Sequence, residues 1–416
     1  MKIWFTEIGE PLPLERDVRL YRYGMLTRSL ARFGHEVSWW TSGFSHTSRT
    51  QISDKDEDVR HEDVMLRILK GPGYKRSVSF ARVIHQRHFA RRFYSFAYNN
   101  ETPDVIVTPV PTLEVAKKAV LFGKRKQIPV IVDIRDEWPD EFVDLAPQAL
   151  RPIARLLLFP YFRMMTYICK NATGIIGVSK SFQMYGLSFA ERKAGKYDGV
   201  FPIGYSGERS VDRSKIEEAK SWWVSQGISP HAFVCCFFGT VGNFFNLEVV
   251  INAAKKLSNK LKIQVVICGN GSRLDYYKKM AADEKSIFFP GWVDEPRIMA
   301  LMELSNVGLA PYAAKTRMSL PNKPFEYFAG GLPVVSSIQG ELKQLLEKHQ
   351  CGRTYNPESA DELASILTEL NSSATLCREM GNRARNLLNQ EFSIARITDS
   401  FNSYLLEVVE GFKNQH

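Results

Sequence analysis

Short, near-continuous apolar runs alternate with segments of helical period along the whole chain, and few architectures accept that pattern. KIWFTE (2–7), EVSWWT (36–41), DVIVTPV (104–110), PVIVDIR (129–135) and GIIGVS (174–179) read as buried strands in the first half. VCCFFG (234–239), QVVICG (264–269), IFFPG (287–291), VGLAPY (307–312) and LPVVSS (332–337) do so in the second. Strands that are apolar on both faces and separated by helices predict parallel sheets covered on either side. Over 416 residues, two such sets predict two doubly wound, Rossmann-like α/β domains facing across a cleft. The turn-rich FPIGYSGERS (201–210), followed by a charged helix at 212–226, divides the chain into domains 1–204 and 205–390. A last helix at 392–412 is expected to pack back onto the first. Ligands of such folds bind at the carboxyl ends of the strands.

The 44% hydrophobic fraction excludes a disordered chain, and no run of about 18 apolar residues exists to span a membrane. The start, MKIWFTEIGEPL, meets an acid at Glu7 and has no signal-peptide core. The six cysteines lack paired spacing and mostly sit in apolar runs such as FVCCFFG, as small hydrophobes of a reduced, cytoplasmic protein. The net charge of +10 is uneven: residues 1–200 carry 31 basic and 22 acidic side chains, residues 201–416 carry 24 and 23. The excess belongs to the first half, where it serves an anionic partner or solubility.

Two local patterns carry chemistry. The strand VCCFFG runs into Gly239-Thr240-Val241-Gly242-Asn243 and then a helix with Asn246 as candidate N-cap. A glycine turn that delivers a helix N-terminus can hold a phosphate; it is also what an ordinary strand-to-helix turn needs. In SLPNKPFEYFAGGLPVVSSIQGE (319–341), Lys323 and Glu326 fall on the first turns of a short helix ending at Gly330-Gly331. A lysine there can bind a phosphate, and the glutamate can accept from a ribose diol. The plain alternative is a surface pair three residues apart.

At these residues the chain resembles the retaining GT-B glycosyltransferases of family 4, whose P-x-K-x-x-E-Y-x-A-x-G-x-P-V-V signature, followed by G-E, fits Pro321 to Glu341. GHEV (34–37), the loop at 239–242, GNGSRL (269–274) and PGWVDEPRIMALMELSNVGLAPY (290–312) follow in the family's order. The subgroup it most resembles comprises bacterial transferases of O-antigen or capsule assembly, fucosamine transferases among them. The resemblance implies a nucleotide-sugar donor, UDP-linked, in the second domain. Its base would lie against Gly291, Trp292 and Val293, its ribose on Glu326, and its diphosphate near Lys323 and the loop of Gly239, Thr240 and Gly242, with Asn243, Gly269 and Asn322 also in the donor site. Core packing is the other reading of Trp292.

The chain departs from the pattern in two places. Many relatives carry a glutamate where Met318 stands, and a basic residue where the glycine loop runs into Phe244-Phe245. A deoxy or acetamido donor sugar fits that change, with the diphosphate leaning on Lys323 and backbone amides.

DIRDEWPD (133–140) follows a strand and resembles a run found in the same subgroup. It offers Asp136 to position or deprotonate the acceptor hydroxyl, Arg135 to meet an anion and Trp138 to line the acceptor site. Alternatively Asp133 and Asp136 cap a turn while Trp138 packs. Asp54 and Asp56 lie in the charged run DKDEDVRHED, read as a solvated loop, and neither they nor His85 and His88 form a metal set. No cofactor, metal or nucleic-acid partner is expected.

Residues 75–98 hold six basic side chains and no acid, interleaved with aromatics. With LRPIARLLLFPYFRMMTYICK (150–170) they read as interfacial, Arg82, Arg87, Phe89, Arg91 and Arg92 meeting an anionic membrane. The alternative is core helices with basic outer faces. The expectation is therefore a peripheral enzyme on the inner face of the cytoplasmic membrane, acting on a polyprenyl-diphosphate-linked saccharide. Two alternatives stay open: a soluble small-molecule acceptor, or a non-catalytic sugar-nucleotide-binding protein.

Overall fold

The computed structural model describes residues 1–14, 20–76, 78–205 and 211–414, so 206–210 of the boundary stretch lie outside the described residues. The chain divides into two compact units, Met1–Gly204 with Ile394–His416, and Tyr205–Ser393.

In the first unit, β1 (Lys2–Thr6), β2 (Glu36–Ser42), β3 (Glu57–His61), β4 (Val64–Leu69), β5 (Val105–Val110), β6 (Val130–Ile134), β7 (Gly174–Gly177) and β8 (Gly199–Val200) form one sheet. Its order is β3-β4-β2-β1-β5-β6-β7-β8, and only the β3–β4 pairing is antiparallel. Side chains alternate between two buried faces, as strands covered on both sides require. Trp4, Trp40, Phe93 and Phe122 build one core, while Phe5, Tyr23, Leu30 and Trp39 build the other. The terminal helix Ile394–Lys413 gives Phe401, Leu405 and Val408 to that second core.

The charged run at 54–63, read as a solvated loop, holds the edge strand β3 instead. An edge tolerates charge because one side of its ladder and much of its surface face water. Asp56 accepts from the backbone N–H of Lys70 and pairs with Arg92.

In the second unit, β9 (Phe233–Phe238), β10 (Ile263–Cys268), β11 (Ile287–Gly291), β12 (Val307–Ala310), β13 (Val334–Ser336) and β14 (Gly352–Thr354) form an all-parallel sheet in the order β11-β10-β9-β12-β13-β14. The chain runs outward from β9 to β11 and then returns to β12 on the other side of β9. That reversal is a topological switch point, which places the ligand crevice of this unit at the carboxyl ends of β9 and β12. The same reversal occurs in the first unit between β1 and β5. All six cysteines are buried and free.

Candidate active site

Three loops are knitted together at the carboxyl edge of the second sheet. The Gly239 N–H donates to Cys268 O at 3.0 Å, Val241 N–H to Asn270 O at 2.9 Å, and Gly269 N–H to Gly291 O at 2.7 Å. The backbones approach so closely that a Cβ on Gly269 would sit 1.8 Å from the Gly239 carbonyl oxygen. Gly269 also takes φ +131, a value that side chains other than glycine's resist.

The helix Asn322–Gly330 starts after Pro321 and ends at Gly331, whose φ of +70 makes the left-handed stop. Its first turn buries Lys323 between the rings of Phe237 and Phe245, with Nζ 4.8 and 5.1 Å from their centroids. The ammonium donates to the Phe238 carbonyl at the end of β9. It thereby reaches the glycine loop, where a Cβ on Gly239 would stand 2.8 Å from Nζ. Glu326 is half-buried one turn later on the same helix, close enough to Tyr312 to add to the upward push that burial gives that phenol. Thr240, Asn243 and Asn322 are exposed, while Gly242 and Val293 are buried. The structure thus brings Gly239, Gly269 and Lys323 together.

Trp292 follows β11 and is 71% exposed, which removes the core-packing reading. Phe244 is 72% exposed, and Met318 is exposed as well. The backbone N–H of Ala313 bonds the Phe244 carbonyl at 2.9 Å, joining the loop after β9 to the one after β12. Asn246 starts the helix Leu247–Leu257, but its amide bonds Pro357 O at 2.9 Å and caps nothing.

In the first unit the loop after β6 carries Arg135, Asp136 and Trp138. Asp136 and Trp138 line a cavity of about 480 Å³, with Phe80, Arg82, Gln86, Glu141 and Tyr161 among its other walls. Trp138 stacks on Tyr161 at 5.0 Å and meets the tilted ring of Phe142 at 4.5 Å, so it both packs and lines. Arg135 is corrected: its guanidinium meets Glu7 at 2.9 Å and Glu10 at 2.8 Å, and two carboxylates already supply the anion. Asp133 lies within β6 and caps no turn; it forms a buried ion pair with Arg22 at 2.8 Å and accepts from the Tyr23 hydroxyl at 3.0 Å. The sequence reading missed Glu7, Glu10 and Arg22, whose partners stand more than a hundred residues away.

Burial and then the neighbouring Glu141 carboxylate push Asp136 up to about 7. The fold thus favours the neutral acid, whose stabilising effect is complete at pH below its ordinary 3.8 and fades as pH rises through about 7. Asp136→Asn should remove this slope. Denaturant midpoints at about pH 5 and about pH 8 check it: wild type should fall relative to the variant, and parallel behaviour would contradict the shift.

The membrane residues divide. Phe89 is corrected: it is 1% exposed and stacks on Phe93 in the core, because positions four apart on the helix Phe80–Ala97 face inward. Arg87 stands 3.6 Å from Glu114 and Arg92 pairs with Asp56, so both are balanced within the unit. Arg91 is exposed, and Arg82 lines the Asp136 cavity. The segment at 150–170 behaves differently. Its helix Arg151–Leu157 buries no residue, leaving Leu156 and Leu157 73% and 74% exposed. Among the described residues no helix is long and apolar enough to cross a membrane.

Family models match both halves: "Glycosyl transferase 4-like domain" over residues 21–183 and "Glycosyl transferases group 1" over 232–373. No curated protein matches the sequence. Among solved structures, Anabaena HepE in complex with UDP is 15% identical over 98% of this chain and 99% of its own, at TM-score 0.68. Sucrose-phosphate synthase from Thermosynechococcus elongatus is 14% identical over 99% of both chains, at 0.71. WaaG, a glycosyltransferase involved in lipopolysaccharide biosynthesis, is 13% identical over 97% of this chain and 99% of its own, at 0.65. At such identities these likenesses speak for the fold, and the two domain models for the activity. The chain is a glycosyltransferase of the GT-B fold, with a glycosyl transferase 4-like first domain and a group 1 second domain.

Proposed function

We propose that this enzyme is a retaining transferase that moves a sugar from a UDP-linked donor to a polyprenyl-diphosphate-linked saccharide in surface-polysaccharide synthesis. The observation that carries the acceptor half is the Asp136 cavity with its apolar surroundings. Exposed Val78 and Phe80 line one part of it, and Leu158, beside the exposed leucines 156 and 157, lines another. A saccharide hydroxyl entering there meets a carboxyl and an aromatic wall, while the bare leucines offer a place for the bilayer surface. The UDP in HepE and the lipopolysaccharide role of WaaG support the same reading.

In the second unit Lys323 and the Gly239–Gly242 loop hold the diphosphate, Glu326 the ribose and Trp292 the base. Exposed Phe244 and Met318 are the apolar groups that a deoxy or acetamido sugar would meet. In the transfer, the bond from the anomeric carbon to the diphosphate oxygen breaks and one to the acceptor oxygen forms. The acceptor proton leaves to a phosphate oxygen or to Asp136. Lys323 stabilises the charge that develops on the leaving diphosphate. Since Asp136 accepts a proton only when ionised, transfer should show an acid limb near pH 7 that the Asn variant lacks.

The test is UDP release from a panel of UDP-sugars with polyprenyl-diphosphate-linked N-acetylglucosamine in vesicles, against the same sugar as a water-soluble glycoside. One donor should release UDP only with the lipid-borne acceptor; equal release with the soluble glycoside would defeat the lipid assignment. Leu156→Asp with Leu157→Asp should cut cosedimentation with anionic vesicles by at least about fivefold, since each buried leucine contributes about 1.5–3 kcal/mol. Undiminished binding would place the membrane contact elsewhere.

A further inference from the structure

We infer that Glu7, Glu10 and Arg135 form a clamp that positions the Asp136 carboxyl at its cavity, which makes the two glutamates positioning residues for the transfer. The inference rests on the reading of Asp136 as the group that meets the acceptor hydroxyl. The parts of the clamp come together at the switch point of the first sheet. Glu7 follows β1, Arg135 follows β6, and Glu10 reaches the start of the helix Arg22–Arg32.

Both carboxylates meet one nitrogen. Arg135 Nη1 lies 2.9 Å from Glu7 Oε2 and 2.8 Å from Glu10 Oε1. The other oxygens are tied to backbone: Glu7 Oε1 accepts from the Gly9 N–H, and Glu10 Oε2 from the N–H groups of Tyr23 and Gly24 at 2.8 and 3.3 Å. Glu10 thus satisfies the open N–H groups of a helix start while it holds the arginine. The guanidinium also lies 5.2 Å from the centre of the Tyr23 ring, whose hydroxyl donates to Asp133. Glu7 and Glu10 are both buried. Burial works against the charge of Arg135, and Glu10 and then Glu7 more than restore it.

The fold alone does not call for this arrangement, since well-packed apolar side chains of similar volume serve a buried contact as well as an ion pair does. Its place in the chain gives it another use. Asp136 is the next residue, and it stands between anchors. On one side Arg135 is held by the clamp and by its own N–H, which donates to Val110 O at 3.2 Å. On the other, the Glu137 carbonyl accepts from the Tyr185 hydroxyl at 3.1 Å, and Trp138 rests against Tyr161 and Phe142. The carboxyl that lines the cavity is therefore in place before an acceptor arrives.

The clamp also sets charges of both signs around that carboxyl. Burial does most to push Asp136 up to about 7; Glu141 and Glu7 add to it, while Arg135 and Arg82, from the helix Phe80–Ala97, oppose it. Loss of Glu7 and loss of Arg135 should therefore move Asp136 in opposite directions, which a general loosening of the loop does not do.

The measurement is the Asp136 titration midpoint, read by NMR on the full chain carrying isotope-labelled aspartate and assigned with Asp136→Asn. Glu7→Gln keeps the shape and an acceptor oxygen and removes the charge; it should lower the midpoint by at least about half a pH unit, and Arg135→Gln should raise it by about as much. Arg135→Lys should restore the wild-type midpoint, because both contacts fall on one nitrogen. Glu10→Gln should lower kcat at least about tenfold with the donor KM unchanged, as a misplaced group does. Arg135→Gln leaves two buried carboxylates without their cation, and if it does not fold, Glu7→Gln decides alone. A wild-type midpoint in Glu7→Gln would overturn the clamp, as would shifts of one sign in both variants; an unchanged kcat in Glu10→Gln would overturn that residue's part in it. A pH limb of transfer that survives in Asp136→Asn would instead sink the reading of Asp136 as proton acceptor, with the titration still deciding the clamp.

Discussion

Replacing Lys323 by alanine is expected to lower turnover by about a hundredfold to a thousandfold, with little effect on nucleoside binding. The side chain is buried, yet its ammonium emerges at the end of β9, bonded to the Phe238 carbonyl and facing the backbone of Gly239. A buried cation is expensive unless it has partners, and a diphosphate on the adjacent amides is a partner of the right charge. That interaction strengthens as the bond to the sugar breaks and charge collects on the leaving group, so its loss should fall mainly on the rate. Lys323→Met separates charge from packing, because it keeps the stem between Phe237 and Phe245. Both variants should show the same rate loss, measured as UDP released per enzyme. Activity near wild type in the Met variant would mean that the ammonium serves only the fold.

Gly269→Val should have the largest effect on stability, about 2–6 kcal/mol, from overpacking of about 1–3 kcal/mol and backbone strain of similar size. A Cβ there would meet the Gly239 carbonyl at 1.8 Å, and φ +131 is poorly tolerated by a β-branched side chain. In a unit of this size the thermal midpoint should fall by roughly 10 °C. Gly242→Ala is the control, since a Cβ at 242 meets only Thr240 Cγ2 at 4.0 Å and should leave the midpoint within about 1 °C. Equal midpoints for the two variants would mean that the loops are free to separate, and the diphosphate seat would lose its rigid floor.

Much of this was legible in the residues themselves. Strands buried on both faces, such as VIVTPV and VCCFFG, announce themselves by composition, and Pro321 with Gly331 marks both ends of the Lys323 helix. What stayed hidden depends on partners distant in sequence. Nothing near Arg135 shows that Glu7 and Glu10 neutralise it, nor does anything near Asp133 indicate Arg22, 111 residues away. Strand β3 was missed because an edge strand needs no apolar face, as Glu57–His61 shows. Phe89 was readable in principle: with Phe93 and Ala97 it repeats every four residues, which signals an inward face. The run of basic side chains around it outweighed that period.

The same partition bears on the basic half. Some of its arginines are spent on Asp56, Glu114 and the Glu7–Glu10 pair, and these say nothing about a partner. The segment at 150–157 is set apart by bare leucines more than by its arginines. The central claim, however, is about the second unit. Calorimetric titration of UDP and of uridine into wild type and Lys323→Met tests it most directly. The account predicts that the variant loses about tenfold to a hundredfold in UDP affinity and none for uridine, the difference being the diphosphate contact. Equal UDP affinity in the two proteins would contradict it.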